Sequence, residues 1–428
     1  MWDVYYERLA EWESQQSSAG PTETPKPAMT LPTVTVQVSD SEAELDLSGW
    51  SHRLADGAST FAVCGVRVSD PQPRVRGGLM KILIDIDAPM PEYLPGDAVD
   101  VWFPNPPHVV ADACAALGIS EDRVISLSGT PTGSGPFLPF GWKVTVKELL
   151  THVVDLTSTA YIQSPFFRMM LERATDATEK VQLSQLDVDR AFRSTFVSTH
   201  RPTLGRMLSL FPSTKLTIGG LLSVAAPLRP RRFSVVSAAP LADASRHQVE
   251  LCVRHHVIDG VPRFVGHCSD PLFHDRCPTW VALRRTPYSS AFLNRNVMVL
   301  VGGGSGVAPL VHLARYAKGK SRALAIWTMY GSRTQSEALY ANELKRLSNR
   351  FALSLSRPAE GRGERVTDTL MDWRGEIAEV VSSGEAGIVC CGPSGLLDSV
   401  RRILAGVLSS SQMDKHVLFE SWENSGQR

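Results

Sequence analysis

Residues 297–310 constrain the fold more than any other stretch. Val297-Met298-Val299-Leu300-Val301 is an apolar run, and Gly302-Gly303-Gly304-Ser305-Gly306 then places four glycines among five residues. Val307-Ala308-Pro309-Leu310-Val311-His312-Leu313-Ala314 follows with apolar residues at helical spacing. That order predicts a buried strand, a tight turn and a helix. Pro309 suits the first helical turn, where its missing N–H is harmless. Such a turn presents backbone N–H groups and the positive end of the peptide dipoles, a setting for an anionic group. Glycine lets the backbone approach that group because it has no Cβ. An ordinary βα turn satisfies the same pattern, so the rest of the chain must decide.

Beyond this turn, strand and helix alternate. Strands are predicted at Val297–Val301, Ala323–Tyr330, Phe351–Ser356 and Gly387–Cys391, with helices over Ala308–Tyr316, Glu337–Ser348, Gly375–Ser382 and Gly395–Leu408. Alternation of this kind implies a parallel, doubly wound sheet whose ligand lies at the carboxyl ends of its strands. Gly331-Ser332-Arg333, Ser356-Arg357 and Cys391-Gly392-Pro393 fall at the same ends as the glycine turn. Four polar or glycine-bearing stretches at four strand ends say more than one loop.

The first half has a different texture. Trp2, Tyr5, Leu9 and Trp12 are spaced for a short amphipathic helix, and a Ser/Pro/Thr-rich linker runs from there to about Leu31. Strands are predicted over 61–68, 80–87 and 99–104, then again over 232–237 and 248–257, with helical periodicity between 107 and 211. Within that block Thr145 and Glu148 have the spacing of a capping box. A helical insertion inside a β domain is the simplest reading.

Composition removes several classes of function. Lys plus Arg and Asp plus Glu number 44 each, which favours neither nucleic acid nor an anionic membrane surface. No apolar run approaches the ~20 residues that span a bilayer, and Asp3 and Glu7 sit where a signal peptide would be basic and then apolar. The seven cysteines are odd in number and scattered without a C-x-x-C pair, so neither a disulfide framework nor a metal site is expected, and a reduced cytoplasm suits them.

The motifs then fall in a recognisable order. Arg231-Arg232-Phe233-Ser234 reads like R-x-Y-S, and Gly266-His267-Cys268-Ser269-Asp270-Pro271-Leu272 like G-x-C/V-S/T-x-x-L. Residues 302–309 read like G-P-G-T-G-x-A-P, Tyr330-Gly331-Ser332-Arg333 like Y-G-x-R, and Leu355-Ser356-Arg357 with Arg365-Val366-Thr367 like F-S-R and K-V-Y. Val389-Cys390-Cys391-Gly392 follows Y-V-C-G, and Phe419-Glu420-Ser421-Trp422 resembles an acidic, aromatic terminus. Over roughly 61–422 the chain resembles the ferredoxin–NADP reductase superfamily, and within it the NADPH-dependent diflavin reductases.

That resemblance implies an α/β plus β-barrel fold: an antiparallel FAD-binding barrel with a helical connecting insertion, followed by a doubly wound parallel-sheet NADPH domain. The implied boundaries are 1–40 for the helix and linker, 41–290 for the FAD domain with its insertion over about 107–211, and 291–428 for the NADPH domain. Arg231, Phe233, Ser234, Gly266, Cys268, Ser269 and Trp422 are implied to hold FAD. Gly304, Ser305, Gly306, Arg333, Ser356, Arg357, Arg365, Thr367, Cys391 and Gly392 are implied to hold NADPH, with Arg357 and Arg365 on its 2′-phosphate. Ser234, Cys391, Glu420 and Trp422 are implied to attend hydride transfer. Phe233, Gly303, Ser305 and Thr367 depart from the family's tyrosine, proline, threonine and tyrosine.

The implied activity is hydride transfer from NADPH to FAD, then single electrons to a protein acceptor: an FMN domain, a flavodoxin-like protein or an iron–sulfur protein. Cytosolic iron–sulfur assembly and a haem protein are the pathways considered. Residues 1–60 are too short for a flavodoxin domain, so FMN is expected only if such a domain is present elsewhere. Two alternatives stand beside this reading, a stand-alone ferredoxin or flavodoxin reductase and a non-catalytic nucleotide-binding module.

Overall fold

The computed structural model describes residues 34–39, 58–68, 76–88, 90–91, 93–129, 143–157, 164–200, 203–237, 247–258, 264–319 and 324–421. The opening helix and linker, and Trp422, lie outside them.

Six strands form an antiparallel barrel. They are β2 (Thr60–Val68), β3 (Leu79–Ile86), β4 (Ala98–Trp102), β7 (Arg231–Ser234), β8 (His247–Arg254) and β11 (Trp280–Arg284), in the order β7-β4-β11-β2-β3-β8, while the short β9 (Val257–Ile258) and β10 (Phe264–Val265) pair with each other apart from it. The two end strands meet through an antiparallel bridge between Val235 and Leu251, which closes the sheet on itself. Met80, Ile82 and Ile84 alternate inward from β3, and Val249, Leu251 and Val253 do so from β8. Trp102 and Trp280 stack outside, with ring centroids 6.1 Å apart.

The insertion between β4 and β7 is helical but not wholly so. Its helices are α1 (Pro107–Leu117), α2 (Val146–His152), α3 (Ser164–Arg173), α4 (Ala177–Val188), α5 (Arg190–His200), α6 (Leu204–Leu210) and α7 (Ile218–Val224). Thr145 caps α2 with the predicted box, accepting from the Glu148 N–H while the Glu148 carboxylate accepts from the Thr145 N–H. Three departures from the sequence reading have local causes. Helix spacing over 183–192 breaks at Asp189, whose extended backbone ends α4 while its carboxylate accepts from the Phe192 N–H to start α5. Two short strands, β5 (Val124–Gly129) and β6 (Lys143–Thr145), lie inside the helical block. Finally, β1 (Val34–Ser39) pairs antiparallel with β5, so the stretch read as helix and linker over 1–40 contains a strand of this layer.

The second half is a five-stranded parallel sheet, β14-β13-β12-β15-β16, made of β12 (Val297–Gly303), β13 (Ala325–Ser332), β14 (Arg350–Leu355), β15 (Ala386–Gly392) and β16 (Val417–Ser421). Both faces are covered. Met298 and Leu300 join one apolar cluster, with α10 (Val307–Gly319) and α11 (Ala341–Leu347). Val299 and Val301 join the other, with α12 (Val366–Ser382) and α13 (Ser394–Ala405). A strand buried on both faces reads as a continuous apolar run. A closed antiparallel barrel followed by a doubly wound parallel sheet is the expected fold class.

Candidate functional site

The barrel and the parallel sheet meet at the carboxyl ends of β12 and β15. There the glycine turn lies against β15: a Cβ on Gly306 would stand 2.4 Å from the Cys391 carbonyl oxygen. Backbone blocks that position, so only glycine fits without a shift. Period-two alternation sends Cys390 into the cluster under α12 and α13, and Cys391 to the opposite face, the one shared with Cys252 of the barrel. Cys391 is paired in register with Glu420 on β16, and its thiol hydrogen-bonds the Glu420 carboxyl. The Tyr288 hydroxyl donates to Glu420 Oε1 at 2.7 Å.

All three groups are held toward their protonated forms. Burial pushes the Cys391 thiol well above its ordinary value, and the neighbouring Glu420 adds to this. Burial likewise raises Tyr288, with Glu420 contributing. Glu420 rises through burial, while its bonds from Tyr288 and Cys391 pull it back. A buried carboxyl with two donors can keep or release a proton with little rearrangement. Ser234, half-buried at the end of β7, makes no hydrogen bond to Cys391 or Glu420 among the described residues.

On the barrel side, Arg231 donates to the Arg229 carbonyl at 2.7 Å and pairs with Asp155 at 3.3 Å. Its charge is felt by both His267 and Cys268, which places it beside the turn at 266–269. A Cβ on Gly266 would fall 2.5 Å from Ser269 Oγ, and that hydroxyl accepts from the His256 N–H at 2.9 Å. Cys268 is buried, which pushes its thiol up to about 12. No side chain caps the start of α8 (Ser269–Phe273). A glycine turn with uncapped N–H groups beside a guanidinium has the composition that a diphosphate requires. Phe233 packs one side of its ring on the barrel core and is half-exposed.

At the outer strand ends the cations gather. The Arg357 N–H donates to the Arg333 carbonyl at 2.7 Å, and the Glu364 N–H donates to the Leu355 carbonyl at 2.8 Å. A Cβ on Gly363 would meet the Ser356 carbonyl at 2.4 Å, so the 363–365 loop is drawn against Ser356. Arg333, Arg357 and Arg365 are all exposed, and none is ion-paired among the described residues. Thr367 is half-buried in the first turn of α12. Gly304 has φ +59, and the turn it opens has no side-chain cap. Gly303 and Gly392 each abut Leu396, while Ser305 is half-buried. These groups fit a phosphorylated dinucleotide.

Three features escaped the sequence reading. Tyr288 is one. Arg254 of β8 is another, reaching toward the glycine turn with Nη2 3.7 Å from where a Gly304 Cβ would stand, while Nη1 bonds the Gly77 carbonyl and Glu337. The third is a charged cluster across the seam. Glu250 of β8 accepts from Arg315 at 2.8 Å and from the Tyr340 hydroxyl at 2.9 Å, Lys81 lies 3.2 Å away, and Arg315 also grips Glu343. Burial raises Glu250, but Arg315, Lys81 and Tyr340 outweigh it and leave the carboxylate below its ordinary value.

Comparison with known proteins converges on the same parts. Residues 75–270 match the family model "FAD binding domain", and residues 300–402 match "Oxidoreductase NAD-binding domain". A nitric oxide synthase-like protein of Bombyx mori is 26% identical over 379 residues, covering 81% of this chain and 34% of that protein. NADPH-dependent diflavin oxidoreductase 1 of Danio rerio is 28% identical over 60% of this chain and 44% of its own length. The sulfite reductase [NADPH] flavoprotein alpha-component of Yersinia enterocolitica is 22% identical over 97% of this chain and 67% of its own. The chain spans about a third of the length of the first of these relatives.

Proposed function

We propose that the chain, which is similar to the NADPH-dependent diflavin reductases of the ferredoxin–NADP reductase superfamily, moves reducing equivalents from NADPH through FAD to a protein acceptor. FAD, when bound, takes hydride from NADPH and gives electrons up one at a time. The observation that carries the reading is the convergence of the glycine turn, Cys391 and Glu420 at one seam between the barrel and the parallel sheet.

In this reading Arg231 and the 266–269 turn hold the FAD diphosphate, and the half-exposed Phe233 ring offers the isoalloxazine a stacking face. Residues 304–306 receive the NADPH pyrophosphate. Arg357 and Arg365, with Ser356 and Arg333 beside them, take the 2′-phosphate, which selects NADPH over NADH. Thr367 supplies no ring for the adenine, so the arginines carry more of the discrimination. Cys391 faces the nicotinamide, while Glu420 holds a proton through the Cys391 thiol. Ser234 approaches the flavin from β7. Trp422 is assigned the flavin face opposite Phe233 by resemblance alone.

The FAD domain is taken as 41–290 with β1 added to its connecting layer, and the NADPH domain as 291–428. For the acceptor we favour an FMN domain or a flavodoxin-like or iron–sulfur protein. Seven free cysteines suit a reducing cytoplasm. No helix among the described residues is long and apolar enough to cross a membrane.

Cys391→Ala tests the assignment. FAD content should be retained while the rate of flavin reduction by NADPH falls at least about tenfold in stopped flow. Reduction at the parent rate would remove Cys391 from the chemistry.

A further inference from the structure

Tyr288 sits in the connector between the barrel strand β11 and the sheet strand β12, and it is anchored on the barrel side. Its N–H donates to the Pro95 carbonyl at 2.8 Å. Its ring lies over Gly96, where φ is +97 and a Cβ would come within 2.7 Å of Tyr288 Cδ1. The residues just before it are pinned by the buried Asp97 carboxylate, which pairs with Arg285 at 3.0 Å and accepts from the Thr286 N–H at 2.8 Å. Phe292, on the short helix α9 (Ser290–Leu293), meets the ring edge-on at 6.1 Å.

Glu420 is anchored differently. It lies on β16, an edge strand whose one ladder neighbour is β15. The bond from Tyr288 therefore ties a sheet-edge carboxyl to the barrel.

We propose that Tyr288 is a positioning residue: its hydroxyl fixes one oxygen of Glu420 from the barrel side, so that the carboxyl stays turned toward Cys391 when the two halves of the molecule are aligned. The proposal rests on the reading of Cys391 and Glu420 as the proton-holding pair. Its physics is that of a buried carboxyl. Such a group needs donors, and each donor favours the ionised form. Two donors on different sides also fix its plane, because the carboxylate accepts along defined lone-pair directions. The titratable groups that act on it are Tyr288 and Cys391, and Cys390 and Cys252 in turn act on Cys391. Of these, Tyr288 and Cys391 bond Glu420 itself. Removing the phenolic oxygen leaves the thiol as the remaining side-chain donor and a carboxyl free to rotate.

Tyr288→Phe makes that change and keeps the ring that packs on Gly96 and Phe292. The test uses infrared titration of the FAD-loaded protein, with the Glu420 carboxyl band identified by its loss in Glu420→Gln. Stopped-flow flavin reduction by NADPH is followed over the same pH range. In Tyr288→Phe the band should titrate at higher pH than in the parent. The pH profile of reduction should move the same way, with kcat lowered about tenfold, as for loss of one hydrogen bond to a charged group, and with KM for NADPH unchanged. A Glu420 band that titrates at the same pH in both proteins overturns the proposal. If the band moves but Glu420→Gln reduces flavin at the parent rate, the reading of Glu420 as a proton-holding group fails and the positioning role with it, while the bond itself is verified.

Discussion

His312 should make the protein acid-labile by a predictable amount. It lies on α10 at the seam, 1% exposed, with its ring edge-on to Tyr93 at 6.0 Å and with Nε2 lacking a partner among the described residues. Burial lowers its pKa from 6.5 to about 4, against the opposing pull of a backbone bond at Val235 and the charge of Asp97. The folded chain thus refuses a proton that the unfolded chain accepts. Stability from this group is complete above the unfolded pKa and is lost as pH falls from about 6.5 toward about 4, where the unfolded state binds more protons. At 1.36 kcal/mol per pKa unit, the shift is worth about 3 kcal/mol across that window. His312→Leu removes the titration and also the unpartnered nitrogen. Urea unfolding of parent and variant at about pH 7 and about pH 4 measures the difference. Other acids titrate in both proteins, so the quantity of interest is the extra loss in the parent, expected near 3 kcal/mol. Equal losses in the two proteins would refute the argument that the buried ring is kept neutral.

Two further perturbations test the cofactor end. Gly306→Ala drives a Cβ into the Cys391 carbonyl and should cost about 1–3 kcal/mol of stability while weakening NADPH binding. Gly319→Ala, where nothing lies within 4 Å of the new methyl, is the control in the same urea unfolding. Replacing both Arg357 and Arg365 with alanine should weaken NADPH by about a hundredfold, two charged hydrogen bonds' worth, and leave NADH nearly unchanged. Equal losses for both nucleotides in isothermal titration would remove these arginines from the 2′-phosphate.

Much of the architecture was legible because it is periodic. The apolar run at 297–301, buried on both faces, announced a central parallel strand, whereas a role for Cys391 came only from the resemblance of 389–392 to Y-V-C-G. The breaks were not periodic and went unread. Asp189 ends one helix and caps the next with a single side chain. Tyr340 adopts φ +67 before α11, so the helix expected from Glu337 begins at Ala341. At the seam, Lys81, Glu250, Arg315 and Glu343 come from two strands and two helices far apart in sequence, and each alone reads as a surface charge. Tyr288 lies in a Pro-Tyr-Ser-Ser connector with neither periodicity nor motif. Only the fold brings its hydroxyl to Glu420.

The most direct test of the central claim is the visible spectrum of the purified protein before and after anaerobic NADPH, with the released flavin identified. The protein should carry one FAD per chain, bleached by NADPH far faster than by NADH. A protein that takes up no added FAD, or whose FAD stays oxidised under NADPH, would contradict it.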